Sequence, residues 1–113
     1  MENKPVKLLC HFNLNVLDPI QICDGISVII TKLSLKEARE LIKEGFESFV
    51  GKKPMVTFVS EVLGVPVPYK FIKPELVIGD VVLHCQYLGY PYDDNCDNVP
   101  KGAKMDFYKI EIV

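Results

Sequence analysis

The stretch ESFVGKKPMVTFVSEVLGVPVP, Glu47 to Pro68, decides how this chain is read. Gly51 marks a turn, and Pro54 suits the first turn of a helix, where its missing N–H costs nothing. Met55, Phe58, Val59, Val62 and Leu63 then recur at helical spacing, and Gly64 ends the run. The stretch is therefore a loop feeding an amphipathic helix whose apolar stripe is a core face. Lys52 and Lys53 stand at its start, against a macrodipole that favours acids there. Two cations beside backbone N–H groups suit an anion.

Upstream, Ser34 and Glu37 make a capping box, with Leu35, Ala38, Leu41 and Ile42 as the apolar stripe and Gly45 as the stop. Five apolar runs on either side of the helices read as strands. KLLCHF (Lys7 to Phe12) and ISVIITK (Ile26 to Lys32) flank a loop with turn signals at Asp18-Pro19 and Asp24-Gly25. YKFIKPEL, from Tyr69, is weaker because Pro74 confines it to an edge. DVVLHCQYL, from Asp80, is the fourth. In the terminal KMDFYKIEIV, Tyr108, Ile110 and Ile112 alternate with Lys109 and Glu111, the period of a strand with one wet face. This order predicts one α+β domain over residues 1–113, with a sheet of about five strands and helices packed on one face. Its exposed sheet edges suggest a homodimer.

Composition narrows the function. A hydrophobic fraction of 49% suffices for one core, and a net charge of −2 argues against electrostatic binding to duplex nucleic acid. The apolar run near the N-terminus is too short for a signal or membrane segment, which predicts work in the cytoplasm of the host cell and no membrane partner. Cys10, Cys23, Cys85 and Cys96 lack paired spacing, and only His84 and Cys85 adjoin. Neighbours on a strand point to opposite faces, so that pair is a poor chelate and no metal site is expected. His11 and His84 fall within strand runs and read as core or edge residues.

Polar residues concentrate in three places. Asn13 and Asn15 follow the first strand; VGKKP opens the second helix; and GYPYDDNCDNVPKGAK, Gly89 to Lys104, is a long connection of the kind that serves as a lid. Its acidic cluster lacks the glycine and distal glutamate of a calcium loop. The chain has no G-x-S-x-G elbow, Walker loop or H-E-x-x-H.

The run SLKEARELIKEGFESFVGKKPMVTFVSEVLGVPVP, followed by the Gly79-Asp80 pair, resembles the small viral anti-CRISPR ring nucleases, from about Leu8 to Val113. The resemblance implies a mixed sheet with helices against it and a homodimer binding cyclic tetra-adenylate, the messenger of type III CRISPR defence. It also implies a flexible loop over the ring and cleavage to linear di-adenylate without a metal or other cofactor. Active relatives carry a histidine directly after the turn glycine; here that place is Lys52. Lys53, Pro54 and Met55 replace the polar residues that follow. The family's Asn-Arg falls on Lys70 and Phe71, and its Arg-x-x-Glu-Gly on Tyr90 and Asp93-Asp94. Phe12 and Asn15 match, while Asn13 replaces a serine that can contact phosphate.

Lysine, with an ordinary pKa of about 10.4, is a poor proton shuttle beside histidine. The resemblance therefore implies a catalytically degenerate member without a catalytic set, acting by binding. Its expected ligand residues are Asn13, Asn15, Gly51, Lys52, Lys53, Lys70, Tyr90 and Asp93. The expected target is a cyclic oligoadenylate or a host type III CRISPR effector protein, and the acidic lid tips that choice toward a protein. The alternative is an active ring nuclease with its site relocated around Lys52.

Overall fold

A computed structural model of the protein describes residues 4–93 and 95–113. Five strands form one sheet: β1 (Val6–Leu9), β2 (Val28–Leu33), β3 (Phe46–Ser48), β4 (Val81–Leu88) and β5 (Lys104–Ile112). Their spatial order is β2-β5-β4-β1-β3. β1 runs parallel to both of its neighbours, β3 and β4, whereas β4, β5 and β2 pair antiparallel. The fold is α+β with a mixed five-strand sheet and three helices, α1 (Pro19–Asp24), α2 (Leu35–Leu41) and α3 (Lys53–Leu63), plus a 3-10 turn at Leu14–Val16.

Strand alternation splits the core in two. Leu8, Leu83, Cys85 and Phe107 project to one face, where Ala38 and Ile42 of the α2 region and Met55, Val59 and Leu63 of α3 cover them. Leu9, Val82, Ile110 and Ile112 project to the other, where Val16, Leu17 and Leu76 cover only part of the sheet. Thus α2 and α3 lie on the expected face, while α1 buries none of its residues. Burying one such leucine or valine contributes about 1.5–3 kcal/mol, so the helix-covered face holds the domain together.

Both longer helices form for the reasons read in their sequence. Ser34 Oγ accepts the Glu37 N–H at 3.1 Å, and the Glu37 carboxylate accepts the Ser34 N–H at 2.9 Å. Gly64 closes α3 in the left-handed region at φ 72°, where a Cβ is penalised.

Two elements differ from the sequence reading. Residues Asp18 and Pro19 begin a helix instead of a turn: Asp18 Oδ1 accepts the Ile20 N–H at 2.9 Å, and Pro19 occupies the first helical position. YKFIKPEL forms no strand, making only single bridges, Val50 with Tyr69 and Leu17 with Leu76. Pro74 removes a donor that a ladder there would need. The fifth strand is β3, three residues placed between the two long helices and added beside β1.

Candidate functional site

The parallel set β3-β1-β4 brings three strand ends to one rim of the sheet. Open sheets of this kind hold ligands outside the carboxyl ends of their parallel strands. Here those ends lead into Cys10-His11-Phe12 after β1, Gly51-Lys52 after β3 and Gly89 after β4. β1 pairs with β4 only from Lys7 to Leu9, opposite Val82 to His84, so β4 runs on past the end of its neighbour. A cleft of about 570 Å³ opens beside that overhang, lined by His11, Lys52, His84, Gln86 and Tyr92 among others.

Each wall has a local cause. Lys52 is the N-cap of α3, with extended backbone at φ −127°; its ammonium offers no acceptor to the helix N–H groups, and the residue lines the cleft. Gly51 permits the close approach of the segment returning from α3, because a Cβ there would lie 2.9 Å from the Phe71 ring and 3.3 Å from Phe71 Cα. The returning segment is pinned by Ser48, whose hydroxyl donates to the Pro68 carbonyl at 2.6 Å and accepts the Val50 N–H at 3.2 Å. On the lid side, Tyr87 meets Phe58 and Tyr92 edge-on, at centroid distances of 6.2 and 5.1 Å. Its hydroxyl donates to the Tyr90 carbonyl at 2.6 Å, which anchors the start of the connection from β4 to β5. Lys52 Nζ stands 6.0 Å from the Tyr92 ring centroid, at the outer range of a cation–π contact.

Three of the residues that line the cleft carry basic side chains, Lys52, His11 and His84. Burial pushes the His84 imidazole below its ordinary value, and the neighbouring His11 pushes it further. Cys10 also lines the cleft, but burial raises its thiol to about 12 against the opposing pull of Lys52. A thiol so raised is protonated at neutral pH and is not a nucleophile. The arrangement can hold an anion and can supply imidazoles to a reacting group.

The ligand residues expected from sequence are distributed around this rim. Lys52 lies in the cleft itself, while Asn13 and Gly51 line a smaller groove that shares Lys52 and His11 with it. Asn13 Oδ1 is occupied by the Asn15 N–H at 2.8 Å, capping the 3-10 turn. Lys70 lines a third groove with Gly51 and Lys52, paired to Glu47 at 3.0 Å and lying 4.6 Å over the Phe49 ring. Asn15 lines a separate depression with Lys73 and Glu75.

Lys53, Tyr90 and Asp93 line none of these cavities; Lys53 is exposed, Tyr90 points to solvent, and Asp93 accepts the Asn95 N–H at 2.9 Å. Asp94 lies outside the described residues. His11, His84 and Gln86 were missed. Their signal is position, each beside the end of a parallel strand, and it becomes visible only once β1 and β4 are known to be neighbours.

A family model described as STIV B116-like matches residues 12–102. The chain also resembles the solved structure of B116 of Sulfolobus turreted icosahedral virus, with a TM-score of 0.73 and 18% sequence identity. That match covers 96% of this chain and 99% of the other, and it shows a shared fold. Curated protein sequences yield no match.

Proposed function

The chain belongs to the STIV B116-like family, and from that membership and the cleft at its strand ends we propose that it is a viral protein that binds a phosphate-bearing nucleotide. Within that class, the resemblance drawn from its sequence points to a cyclic oligoadenylate, held and not cut, so that the host's type III CRISPR signal is withdrawn. The observation that carries the proposal is the convergence of Lys52, His11 and His84 on one cleft at the ends of the parallel strands. The acidic residues of the lid made a protein partner attractive from sequence, but Asp93 does not line the cleft and Asp97 is exposed. Repulsion of an anion by these two exposed side chains is screened by solvent.

A second reading, cleavage, has its own observation. His11 and His84 share the cleft with Lys52, so imidazoles missing from the helix corner are supplied by the segment after β1 and by β4. Paired imidazoles are suited to taking and giving protons at a ribose–phosphate linkage, help typically worth roughly 10²- to 10⁴-fold in rate.

One titration with labelled cyclic tetra-adenylate separates these readings if bound and cleaved label are resolved in the same samples. Saturable binding without cleavage, weakened by salt and by Lys52→Ala, is expected. Turnover lost in His11→Ala and His84→Ala would replace the binding reading with the second. Absence of binding would overturn both and turn the search to a host protein.

A further inference from the structure

We infer that the loop at residues 69–73 is a docking surface for an acidic segment of a partner protein, one that presents an apolar anchor side chain flanked by carboxylates. The inference does not depend on the phosphate-binding reading of the cleft.

The loop is held at both ends. Tyr69 bridges Val50, and the Lys70 N–H donates to the Val50 carbonyl at 2.9 Å. On the far side Pro74 is buried. The Leu76 N–H then donates to the Val16 carbonyl at 2.6 Å, and the Leu76 carbonyl accepts the Asp18 N–H at 3.0 Å. Between these anchors stand two adjacent apolar side chains, Phe71 at 80% exposure and Ile72 at 60%. Single exposed apolar residues are ordinary, but neighbours that form a patch mark a contact surface. Ends fixed in this way reduce the ordering that binding would otherwise cost.

The patch borders a groove of about 350 Å³, where Phe49, Phe71 and Ile72 meet Lys52, Lys70 and Lys73. One side of the Phe71 ring rests on Gly51, so the groove has a fixed wall. Lys70 is paired to Glu47 and lies over the Phe49 ring, while Lys73 is exposed. Three ammonium groups therefore surround an apolar floor, in a chain whose net charge is −2. The positive charge is local, and it selects an occupant that brings carboxylates to this place.

A lipid surface fits these observations less well. Polybasic attachment to a membrane takes roughly 4–8 clustered lysines or arginines, and a flat bilayer does not fill a groove. A protein segment can seat one side chain on Phe71 and Ile72 and set its carboxylates at the lysines, the apolar core and polar rim of protein interfaces.

The test is selection of a random peptide library, displayed on phage, against the immobilised full chain with no nucleotide present. Selected peptides are expected to carry Phe, Trp or Leu flanked by Asp and Glu. The best of them, made synthetically, should lose at least roughly tenfold in affinity for Phe71→Ser, the scale of an interface anchor. Lys73→Glu should weaken it as well, and in the parent so should rising salt. Both positions are exposed, so neither change threatens the fold.

No enrichment, or enriched peptides without acidic residues, would overturn the inference. Peptides that bind Phe71→Ser as tightly as the parent would do the same. Co-sedimentation with phosphatidylserine vesicles that Phe71→Ser abolishes would give the patch to a lipid surface. A dimer of the parent that Phe71→Ser dissociates would give it to a second copy. Either of these results also overturns the inference, and all of them leave the phosphate-binding reading to the nucleotide titration.

Discussion

The ammonium of Lys7 in β1 lies 2.9 Å from Oδ2 of Asp80, which sits in the turn just before β4. The same oxygen accepts the Val77 N–H at 2.8 Å, and Lys4 stands 3.5 Å from the other oxygen. The carboxylate is almost wholly buried, and Lys7 is largely covered. Burial alone would raise the Asp80 pKa, but the Val77 N–H and the two lysines together hold it below the ordinary 3.8. This cluster fixes the start of β4 against β1, and so sets the rim on which the cleft is built.

Asp80→Asn is expected to cost roughly 2–3 kcal/mol, less than the roughly 3–5 kcal/mol of breaking a fully buried pair, because Lys7 retains some solvent. The lowered native pKa also has a pH signature. Its stabilisation is complete above 3.8 and is lost as pH falls through that value and below. Urea melts across the acid range should show this loss in the parent and its reduction in the variant.

His84 gives a second, separate acid response. Its native pKa is depressed by burial and then by His11, so the unfolded chain takes up a proton before the native one does. Stability is therefore full above the ordinary 6.5 and declines as pH falls below it. His84→Phe, facing Tyr108 across the strands, should flatten the urea midpoint just below pH 6.5. A midpoint that still falls there with the parent's slope would assign the response to another group.

Lys52 should show a trade between folding and binding. An N-cap serine typically contributes about 1 kcal/mol, and α3 lacks a side-chain cap. Lys52→Ser removes the contact with Tyr92 yet is expected to raise stability by roughly 0.5–1 kcal/mol. The same change should weaken phosphate-ligand binding at least several-fold. Thermal melts and ligand titrations on one preparation would check both signs.

Ser48 is a buried hydroxyl whose two hydrogen bonds tie β3 to the segment returning from α3. Ser48→Ala leaves the Pro68 carbonyl and the Val50 N–H without that partner, at an expected cost of about 1–3 kcal/mol. Amide hydrogen exchange at Val50 and Lys70 should rise with it, since Lys70 N–H donates to the Val50 carbonyl at 2.9 Å.

Local signals in the sequence were strong wherever backbone chemistry is local. The Ser34–Glu37 box, Gly64 and the apolar stripe of α3 placed two helices because capping and 3.6-residue periodicity involve near neighbours. Asp18-Pro19 was misread because the same pair serves as a turn start and as an N-cap followed by a first helical residue. β3 was lost because three residues carry almost no periodicity, and its pairing with β1 is set at a distance. Lys52 was legible as an anomaly against the helix dipole. His11, His84 and Gln86 were not, since only the long-range register of β1 beside β4 turns strand residues into cleft walls.

The position of β1 has a kinetic consequence. Val6 pairs with Phe46 and Lys7 with Val82, so the first strand off the ribosome occupies the interior of the sheet and must wait for partners made much later. Until β4 emerges, Leu8 and Leu9, both buried in the finished fold, lack one of their two flanking strands. Closing such long loops costs chain entropy before any contact rewards it, which places this domain among slower folders for its size.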